Sequence, residues 1–285
     1  MDIKVVGVLG AGQMGRGIAQ VTAQAGCNVL LLDVDLAHAK QGHERIGKDL
    51  LRLVDKGKMQ SAERQTILQR ITPNQDLKVL SEADLVIEAA TEQQVIKEKL
   101  LSDADKVMKP EALLASNTSS ISLTKLAAVT SRPDKVIGMH FMNPVPVMKL
   151  VEIIPAIQSS EECVQTIKQF AARLGKMVVT SKDSPGFLVN RMLMPFINEA
   201  CFALQEGLSS PEEIDEGVRL GLNHPMGPLE LADFVGLDTV LYIAEVLHRE
   251  LGDDKYRPAT ILRNYVAAGW LGRKAGRGFY NYTEK

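Results

Sequence analysis

The sequence predicts an α/β protein in which a doubly wound, mostly parallel sheet over residues 1–184 precedes an all-α domain over residues 185–285. Two observations predict the sheet. Short apolar runs alternate with helix-like stretches, and a glycine-rich turn joins the first run to the first helix. A third observation predicts the second domain, because the pattern becomes almost wholly helical after Ser184-Pro185-Gly186.

Composition and charge restrict the class of protein. The 285 residues are 45% hydrophobic and 24% charged, which suits one large core or two modest ones. A formal net charge of −2 predicts neither nucleic-acid binding nor binding to an anionic membrane, and no apolar run reaches the length of a membrane span. Three widely spaced cysteines in apolar surroundings, Cys27, Cys163 and Cys201, favour a reducing cytoplasm over a disulfide framework. The start lacks the pattern of a signal peptide, so a cytoplasmic location is expected.

The first elements form a βαβ unit with a nucleotide-binding turn. KVVGVL and NVLLLD predict buried strands, and RGIAQVTAQAG between them predicts a helix. The turn GAGQMG matches the G-x-G-x-x-G pattern of Rossmann-like sheets, where glycines allow the tight turn, the approach of a pyrophosphate and close helix packing. The residues predicted to bind the cofactor here are Gly10, Gly12, Gln13, Met14 and Gly15. An ordinary glycine turn is the alternative.

Asp33 ends the second predicted strand, where a carboxylate can accept hydrogen bonds from the ribose hydroxyls of adenosine. The same carboxylate would repel a 2′-phosphate, and the neighbouring Val34 and Asp35 offer no arginine in its place. The sequence therefore predicts NAD as the cofactor rather than NADP.

Residues 37–69 predict a long helix or a helical pair inserted into the first domain. Ile46, Leu50, Leu53 and Val54 recur at helical spacing. Because the segment is too long for a plain crossover, we expect it to project from the sheet. Its lysines could meet an anionic ligand, although a solvated helix face is the alternative for each of them.

The remaining apolar runs and helical patterns complete both domains. Further strands are predicted at 83–90, 112–117, 135–141, 148–154 and 176–181. Helices are predicted at about 94–108, 118–130 and 160–175 in the first domain, and at about 187–207, 211–220, 228–251 and 258–268 in the second. A helical domain at one end of the sheet would create a cleft of the kind in which pockets form.

His140 and Glu152 lie in the predicted strands on either side of the turn NPVP. If these strands run antiparallel, the carboxylate returns toward the histidine, and a buried carboxylate needs a partner. Glu152 would then accept one ring N–H and stabilise the imidazolium that forms when the other nitrogen takes a proton. Beside NAD, that pair is typical of a general base for alcohol oxidation. The alternative is that both residues are edge or surface groups.

Six ordered motifs resemble the short-chain L-3-hydroxyacyl-CoA dehydrogenase family, in particular its bacterial 3-hydroxybutyryl-CoA dehydrogenases. They span nearly the whole chain: GAGQMGRGIA, SNTSSISLTKLA, GMHFMNPVPVMKLVEII, DSPGFLVNRML, HPMGPLELADFVGLD and GRKAGRGFYNY. The resemblance implies NAD-dependent oxidation of an (S)-3-hydroxyacyl-CoA, an acyl-CoA substrate as partner, and a homodimer.

The resemblance also implies roles for particular residues near the reacting atoms. His140 would be the catalytic base and Glu152 its partner. Ser119 would hydrogen-bond the substrate and the nicotinamide, with a helix N-cap as its alternative. Asn190 would reach the reacting region from the helical domain, with a polar residue of a helix turn as its alternative.

Four further residues are assigned to the cofactor by resemblance. Asn143 would contact its nicotinamide end, against the alternative of a turn-forming asparagine before proline. Glu92 and Lys97 would approach it after the fourth strand, against the alternative of a solvated helix start. Lys274 would close over it from the carboxyl-terminal tail, against the alternative of a solvated loop.

Several other functions remain as alternatives. A related dehydrogenase of a free hydroxy acid, such as L-gulonate or carnitine, could use the same pair, and a non-catalytic NAD-binding protein could retain the fold. The other β-hydroxyacid dehydrogenases, which use a lysine base, are disfavoured, because the helix after the domain boundary has Asn190 followed by Arg191. No metal site is expected, because the five histidines form no close ligand pair at helical spacing with carboxylates.

Overall fold

A computed structural model describes residues 1–283 and divides into two compact units, Met1–Ser184 and a second unit from Pro185 onward. No helix within these described residues is long and apolar enough to cross a membrane. Cys27, Cys163 and Cys201 are buried thiols.

The first unit is built on one eight-stranded sheet. Its strands are β1 (Val5–Leu9), β2 (Asn28–Leu32), β3 (Ile71–Asn74), β4 (Leu85–Glu88), β5 (Leu113–Ser116), β6 (Val136–Phe141), β7 (Leu150–Pro155) and β8 (Met177–Thr180). The strand order is β3-β2-β1-β4-β5-β6-β7-β8, with parallel pairing throughout except between β6 and β7. The predicted doubly wound, mostly parallel sheet is therefore confirmed.

Three of the six helices of the first unit begin at a capping side chain. They are α1 (Gln13–Gln24), α2 (Leu36–Asp55), α3 (Ser61–Gln69), α4 (Gln94–Asp105), α5 (Leu123–Ala128) and α6 (Glu161–Arg173). Asp35, Ser122 and Ser160 accept the first backbone N–H bonds of α2, α5 and α6. These helices cover the Val-, Ile- and Leu-rich strands, whose side chains form the core.

Two expectations about the first unit need correction. Sequence reasoning missed β3, because Pro73 lies inside it. Pro73 is tolerated because β3 is at the edge of the sheet, where one side of the strand needs no hydrogen-bond partner. The inserted segment is the helical pair α2 and α3, but it does not project along its whole length. Ile46, Leu50 and Ile67 are buried in the core of the unit.

The second unit is helical. Its helices are α7 (Val189–Gln205), α8 (Pro211–Gly221), α9 (Pro228–Val235), α10 (Leu237–Leu251) and α11 (Thr260–Ala267), packed around a core of their own. The prediction of one helix over 228–251 was wrong. Gly236 has a φ of 101°, and this backbone conformation ends α9 and begins α10. Residues other than glycine rarely adopt it.

Candidate active site at the carboxyl ends of the strands

The carboxyl ends of β1, β4, β5 and β6 form the edge of the sheet where ligands bind in doubly wound folds. The chain leaves β1 toward β2 on one side and continues from β4 on the other, so the strand order reverses between these neighbours. Most of the residues that the sequence assigned to catalysis or cofactor binding in the first unit follow these strand ends.

The glycine turn after β1 shapes a space suited to a pyrophosphate. Gly10 has a φ of 103°, and a Cβ at Gly15 would lie 1.7 Å from the Gly10 carbonyl oxygen, so α1 can pack on the turn only without a side chain there. A Cβ at Gly12, in contrast, would meet no protein atom within 4 Å. Gly12 is also the N-cap of α1 and offers no side-chain cap. The helix therefore presents its N–H groups to an open space, as binding of the NAD pyrophosphate requires.

Asp33 lies at the end of β2 beside this turn. Its carboxylate accepts hydrogen bonds from the backbone N–H groups of Ala11 at 2.6 Å and Val34 at 2.7 Å. A cavity of about 200 Å³ adjoins it and is mostly apolar; it is lined by Leu9, Gly10, Leu32, Asp33, Val34, Gln75, Leu77, Ala90 and Leu100. An apolar cavity with a carboxylate at its rim suits an adenosine. Sequence reasoning missed the contribution of Gln75 because it missed β3.

His140 and Glu152 form a direct cross-strand pair. They are opposite each other in the antiparallel register of β6 and β7, which confirms the predicted strand arrangement. His140 Nδ1 lies 2.7 Å from Glu152 Oε2, and both side chains are buried. With Glu152 as the acceptor, Nδ1 carries the proton of this hydrogen bond, and Nε2 is the ring nitrogen that can take up another. The alternative that both residues are surface groups is wrong.

The connection between β6 and β7 is fixed by side chains as well as by its own turn. Asn143 precedes a cis peptide at Pro144, and its Oδ1 accepts a hydrogen bond of 3.0 Å from Gln13 Nε2. Two residues that the sequence assigned to the cofactor are thus joined. Lys176 Nζ donates to the carbonyl oxygens of Val145 and Met148, at 2.5 and 2.8 Å. Burial lowers the pKa of the Lys176 ammonium.

Ser119 belongs to a loop that wraps around the Glu92 carboxylate. Glu92 Oε1 accepts the backbone N–H of Ser119 at 2.8 Å and the hydroxyl of Thr118 at 2.6 Å, with Ser120 also contributing. The loop is not helical, and α5 begins only at Leu123, with Ser122 as its N-cap. The alternative of Ser119 as a helix N-cap is therefore wrong.

Lys97 is buried beneath this loop. Its Nζ lies 2.7 Å from Glu88 Oε1 and 3.3 Å from Glu92 Oε2, and only 1% of its side chain is exposed. The alternative of a solvated helix start is wrong for Lys97. Sequence reasoning missed Glu88, although an acid at the end of the apolar run LVIE carried the same signal that identified Glu152.

Two predicted site residues lie in the second unit. Asn190 is the second residue of α7 and is buried. Lys274 Nζ is 2.6 and 2.7 Å from the two carboxylate oxygens of Asp238, so its charge is balanced within the unit. Over residues 1–283, no three His, Cys, Asp or Glu side chains are grouped so as to hold a metal ion.

Comparisons with known proteins agree along the whole chain. The family described as 3-hydroxyacyl-CoA dehydrogenase, NAD binding domain, matches residues 5–184, and the corresponding C-terminal domain matches residues 186–282. A probable 3-hydroxybutyryl-CoA dehydrogenase of Bacillus subtilis is 53% identical, over 100% of this chain and 99% of the relative. A 3-hydroxybutyryl-CoA dehydrogenase of Bradyrhizobium diazoefficiens is 52% identical, over 98% and 96%. The crystal structure of (S)-3-hydroxybutyryl-CoA dehydrogenase from Ralstonia eutropha superposes with a TM-score of 0.97 at 52% identity, over 99% of this chain and 100% of the other.

Proposed function

The chain belongs to the 3-hydroxyacyl-CoA dehydrogenase family and is an NAD-dependent dehydrogenase, and from that premise we propose that it interconverts short-chain (S)-3-hydroxyacyl-CoA, chiefly 3-hydroxybutyryl-CoA, and 3-oxoacyl-CoA. The observation that carries this proposal is the buried pair of His140 and Glu152 at the carboxyl end of β6, 2.7 Å apart. Relatives that match this chain over nearly their full length are named 3-hydroxybutyryl-CoA dehydrogenases, and these names support the choice of an acyl-CoA substrate.

In the proposed reaction, His140 acts as the general base. Glu152 accepts a hydrogen bond from Nδ1–H, which fixes the tautomer and orients the ring, so that Nε2 takes the proton of the 3-hydroxyl group. NAD, when bound, would supply the acceptor for the hydride that leaves C3. The carboxylate then stabilises the imidazolium, and in the reverse direction the same ring returns the proton to the new hydroxyl oxygen.

Two further side chains are proposed to orient the substrate. Ser119 would hydrogen-bond the reacting oxygen or the thioester carbonyl, and its loop is held by Glu92. Asn190, at the start of α7, would contribute a second polar group. Fixing the acyl group in this way decides which face of C3 is presented, and it removes freedom that the transition state would otherwise have to lose.

The cofactor residues proposed are those around the glycine turn and Asp33, together with Asn143 and Lys274. The open space at Gly12 and the bond between Gln13 and Asn143 support this arrangement. Glu92 and Lys97, which lie beside the loop after β5, complete the proposed set of cofactor residues.

Replacing Asp33 by alanine should weaken NADH binding by about 10- to 100-fold, since a hydrogen bond to a charged group contributes about 1.5–3 kcal/mol. Part of that loss would come from the glycine turn, because Ala11 also loses its acceptor. A fluorescence titration with NADH measures the dissociation constant. Asp35→Ala is the matched control, because Asp35 caps α2 and its side chain is half-buried, 49% exposed. Unchanged affinity in Asp33→Ala would remove Asp33 from the ribose site.

The test of the proposed function is NADH oxidation with acetoacetyl-CoA, run beside free acetoacetate and beside NADPH. Rapid turnover with the thioester and NADH alone is expected. Turnover with the free acid would move the assignment to a hydroxy-acid dehydrogenase. NADH binding without turnover of either compound would indicate a binding protein.

We extend the proposal to a homodimer formed through the second unit. Large apolar side chains are exposed on its helices and on the loops that follow them; they include Met192, Leu208, Leu220, Leu222 and Phe234. A second copy of the chain would remove such a surface from water. Sedimentation equilibrium should give twice the chain mass, whereas a monomer mass at micromolar concentration would contradict this part of the proposal.

A further inference from the structure

A buried lysine, Lys176, lies between α6 and β8 and holds the β6–β7 connection, residues 142–149. Its Nζ donates to the backbone carbonyl oxygens of Val145 and Met148, at 2.5 and 2.8 Å. We propose that Lys176 is a positioning residue: it fixes the β6–β7 connection, and the connection holds the Asn143 side chain where it meets the nicotinamide end of NAD. The inference rests on the proposed function through the role of Asn143.

The β6–β7 connection needs support from other elements, because little of it is buried. Among residues 142–149, Val145 alone is buried, and the others are half-buried or exposed. The backbone N–H groups of Val147 and Met148 both donate to the Pro144 carbonyl oxygen, at 3.0 Å each. These internal bonds shape the connection but do not attach it to the rest of the unit. Exposed segments of this kind are mobile unless other elements hold them.

Lys176 can provide that support because its own position is fixed. Its side chain is buried, and its backbone N–H donates to the Ala171 carbonyl oxygen of α6 at 3.1 Å. The next residue, Met177, donates its backbone N–H to the Lys149 carbonyl oxygen at 2.7 Å. The two carbonyl groups that Nζ contacts are three residues apart, and the charge of an ammonium strengthens both hydrogen bonds. One side chain therefore fixes both ends of residues 145–148.

A second set of contacts attaches the β6–β7 connection to α1, the helix that follows the glycine turn. A Cβ at Gly17 would lie 2.7 Å from Val145 Cβ, so helix and connection can approach this closely only because Gly17 has no side chain. One turn earlier in the helix, Gln13 Nε2 donates to Asn143 Oδ1 at 3.0 Å. The connection is thus held by α1 and by Lys176 together, and Asn143 lies at the start of α1, beside the proposed pyrophosphate site.

Calorimetric titrations of Lys176→Met with NADH and with ADP-ribose test the inference. ADP-ribose carries the adenosine and pyrophosphate of NADH but no nicotinamide ring, so its affinity does not report on a contact with that ring. The dissociation constant for NADH should rise about 3- to 10-fold, the range that one hydrogen bond supplies. The dissociation constant for ADP-ribose should stay within about twofold. A merely structural role would reduce the number of sites or weaken both ligands equally, and either result would overturn the inference.

A double-mutant cycle with Asn143→Ala shows whether Lys176 acts through that residue. Asn143→Ala should give the same selective loss of NADH affinity, and the combined variant should bind NADH no more weakly than the weaker single variant. Each single variant should also lower kcat for acetoacetyl-CoA reduction by about 10-fold, as a small displacement of the nicotinamide would. Losses of NADH affinity that multiply in the combined variant would overturn the inference.

Two variants control for folding and for the loss of a surface charge. Lys176→Gln, which has a shorter side chain and no charge, should repeat the pattern of Lys176→Met and replaces it if that variant does not fold. Lys149→Met makes the same chemical change at an exposed lysine of the β6–β7 connection and should leave both dissociation constants unchanged. A similar loss of NADH affinity in Lys149→Met would overturn the inference.

Amide hydrogen exchange at Val147 and Met148 gives a readout that does not depend on activity. Exchange should speed up in the Lys176 variants but not in Lys149→Met, and unchanged exchange in the former would overturn the inference. Asn143→Ala separates the two failures. If it binds NADH as tightly as the wild type, the role of Asn143 in the proposed function is wrong and the inference falls with it. If it binds weakly while the Lys176 variants do not, only the positioning inference is wrong.

Discussion

His140→Gln is expected to lower kcat for acetoacetyl-CoA reduction by about 10²- to 10⁴-fold, the range that a positioned general acid or base contributes. Glutamine is polar and of similar reach, but its amide cannot take up or release the proton that Nε2 handles. Affinity for NADH should be nearly unchanged, because the substitution removes a proton carrier and not a cofactor contact. Steady-state kinetics and an NADH titration on the same preparation measure both quantities.

Two further variants make that result interpretable. Glu152→Gln should also be slow, since the amide no longer stabilises the imidazolium or fixes the Nδ1 proton. His38→Gln, the same chemical change at an exposed histidine of α2, should keep full turnover. If His140→Gln retained wild-type kcat, His140 would have no part in the proton transfer.

The second large effect is expected at Gly15, where alanine should lower the free energy of unfolding by about 1–3 kcal/mol and abolish tight NADH binding. The new Cβ would lie 1.7 Å from the Gly10 carbonyl oxygen, which belongs to the backbone and can move only with the turn. The gain in helix propensity from glycine to alanine, about 1 kcal/mol, offsets only part of this clash. Urea unfolding followed by circular dichroism measures the stability.

Gly12→Ala is the matched comparison for that prediction. Its Cβ would meet no protein atom within 4 Å, so stability should stay nearly constant while NADH binding weakens about tenfold, because the methyl group enters the space left for the pyrophosphate. Equal losses of stability in the two variants would contradict the assignment of separate roles to these glycines.

The His140–Glu152 pair shows how much local chemistry a sequence can convey. A proline-rich turn between two apolar runs, each with one polar residue, predicts antiparallel strands, and the register then brings the two residues together. Lys97 shows the limit. Its partners Glu88 and Glu92 are near in sequence, but the sequence does not reveal whether a lysine at a helix start turns outward to water or inward to a strand end.

Other failures have equally specific causes. The strand β3 contains Pro73, which argues against a strand unless the edge position is known, and edge position depends on the whole sheet. The start of α5 involves carboxylates outside the helix: Glu92 accepts the backbone N–H groups of Ser119 and Ser120, and Asp183 accepts those of Leu123 and Thr124. The break at Gly236 has a local signal, a single glycine, but an isolated glycine is also tolerated inside helices.

The placement of His140 and Glu152 on adjacent antiparallel strands has a consequence for how the sequence can change over evolutionary time. Side chains alternate between the two faces of a strand. One residue inserted or deleted in β6 before His140, or in β7 after Glu152, would therefore put part of that strand on the wrong face of the sheet. The intervening turn lies outside this alternation, but the Gln13–Asn143 bond and the contacts of Lys176 with Val145 and Met148 tie it to the rest of the unit, so its length is constrained as well. Insertions and deletions should therefore be absent from residues 136–155, and a constant spacing between the histidine and the glutamate would identify the pair even where sequence identity is low.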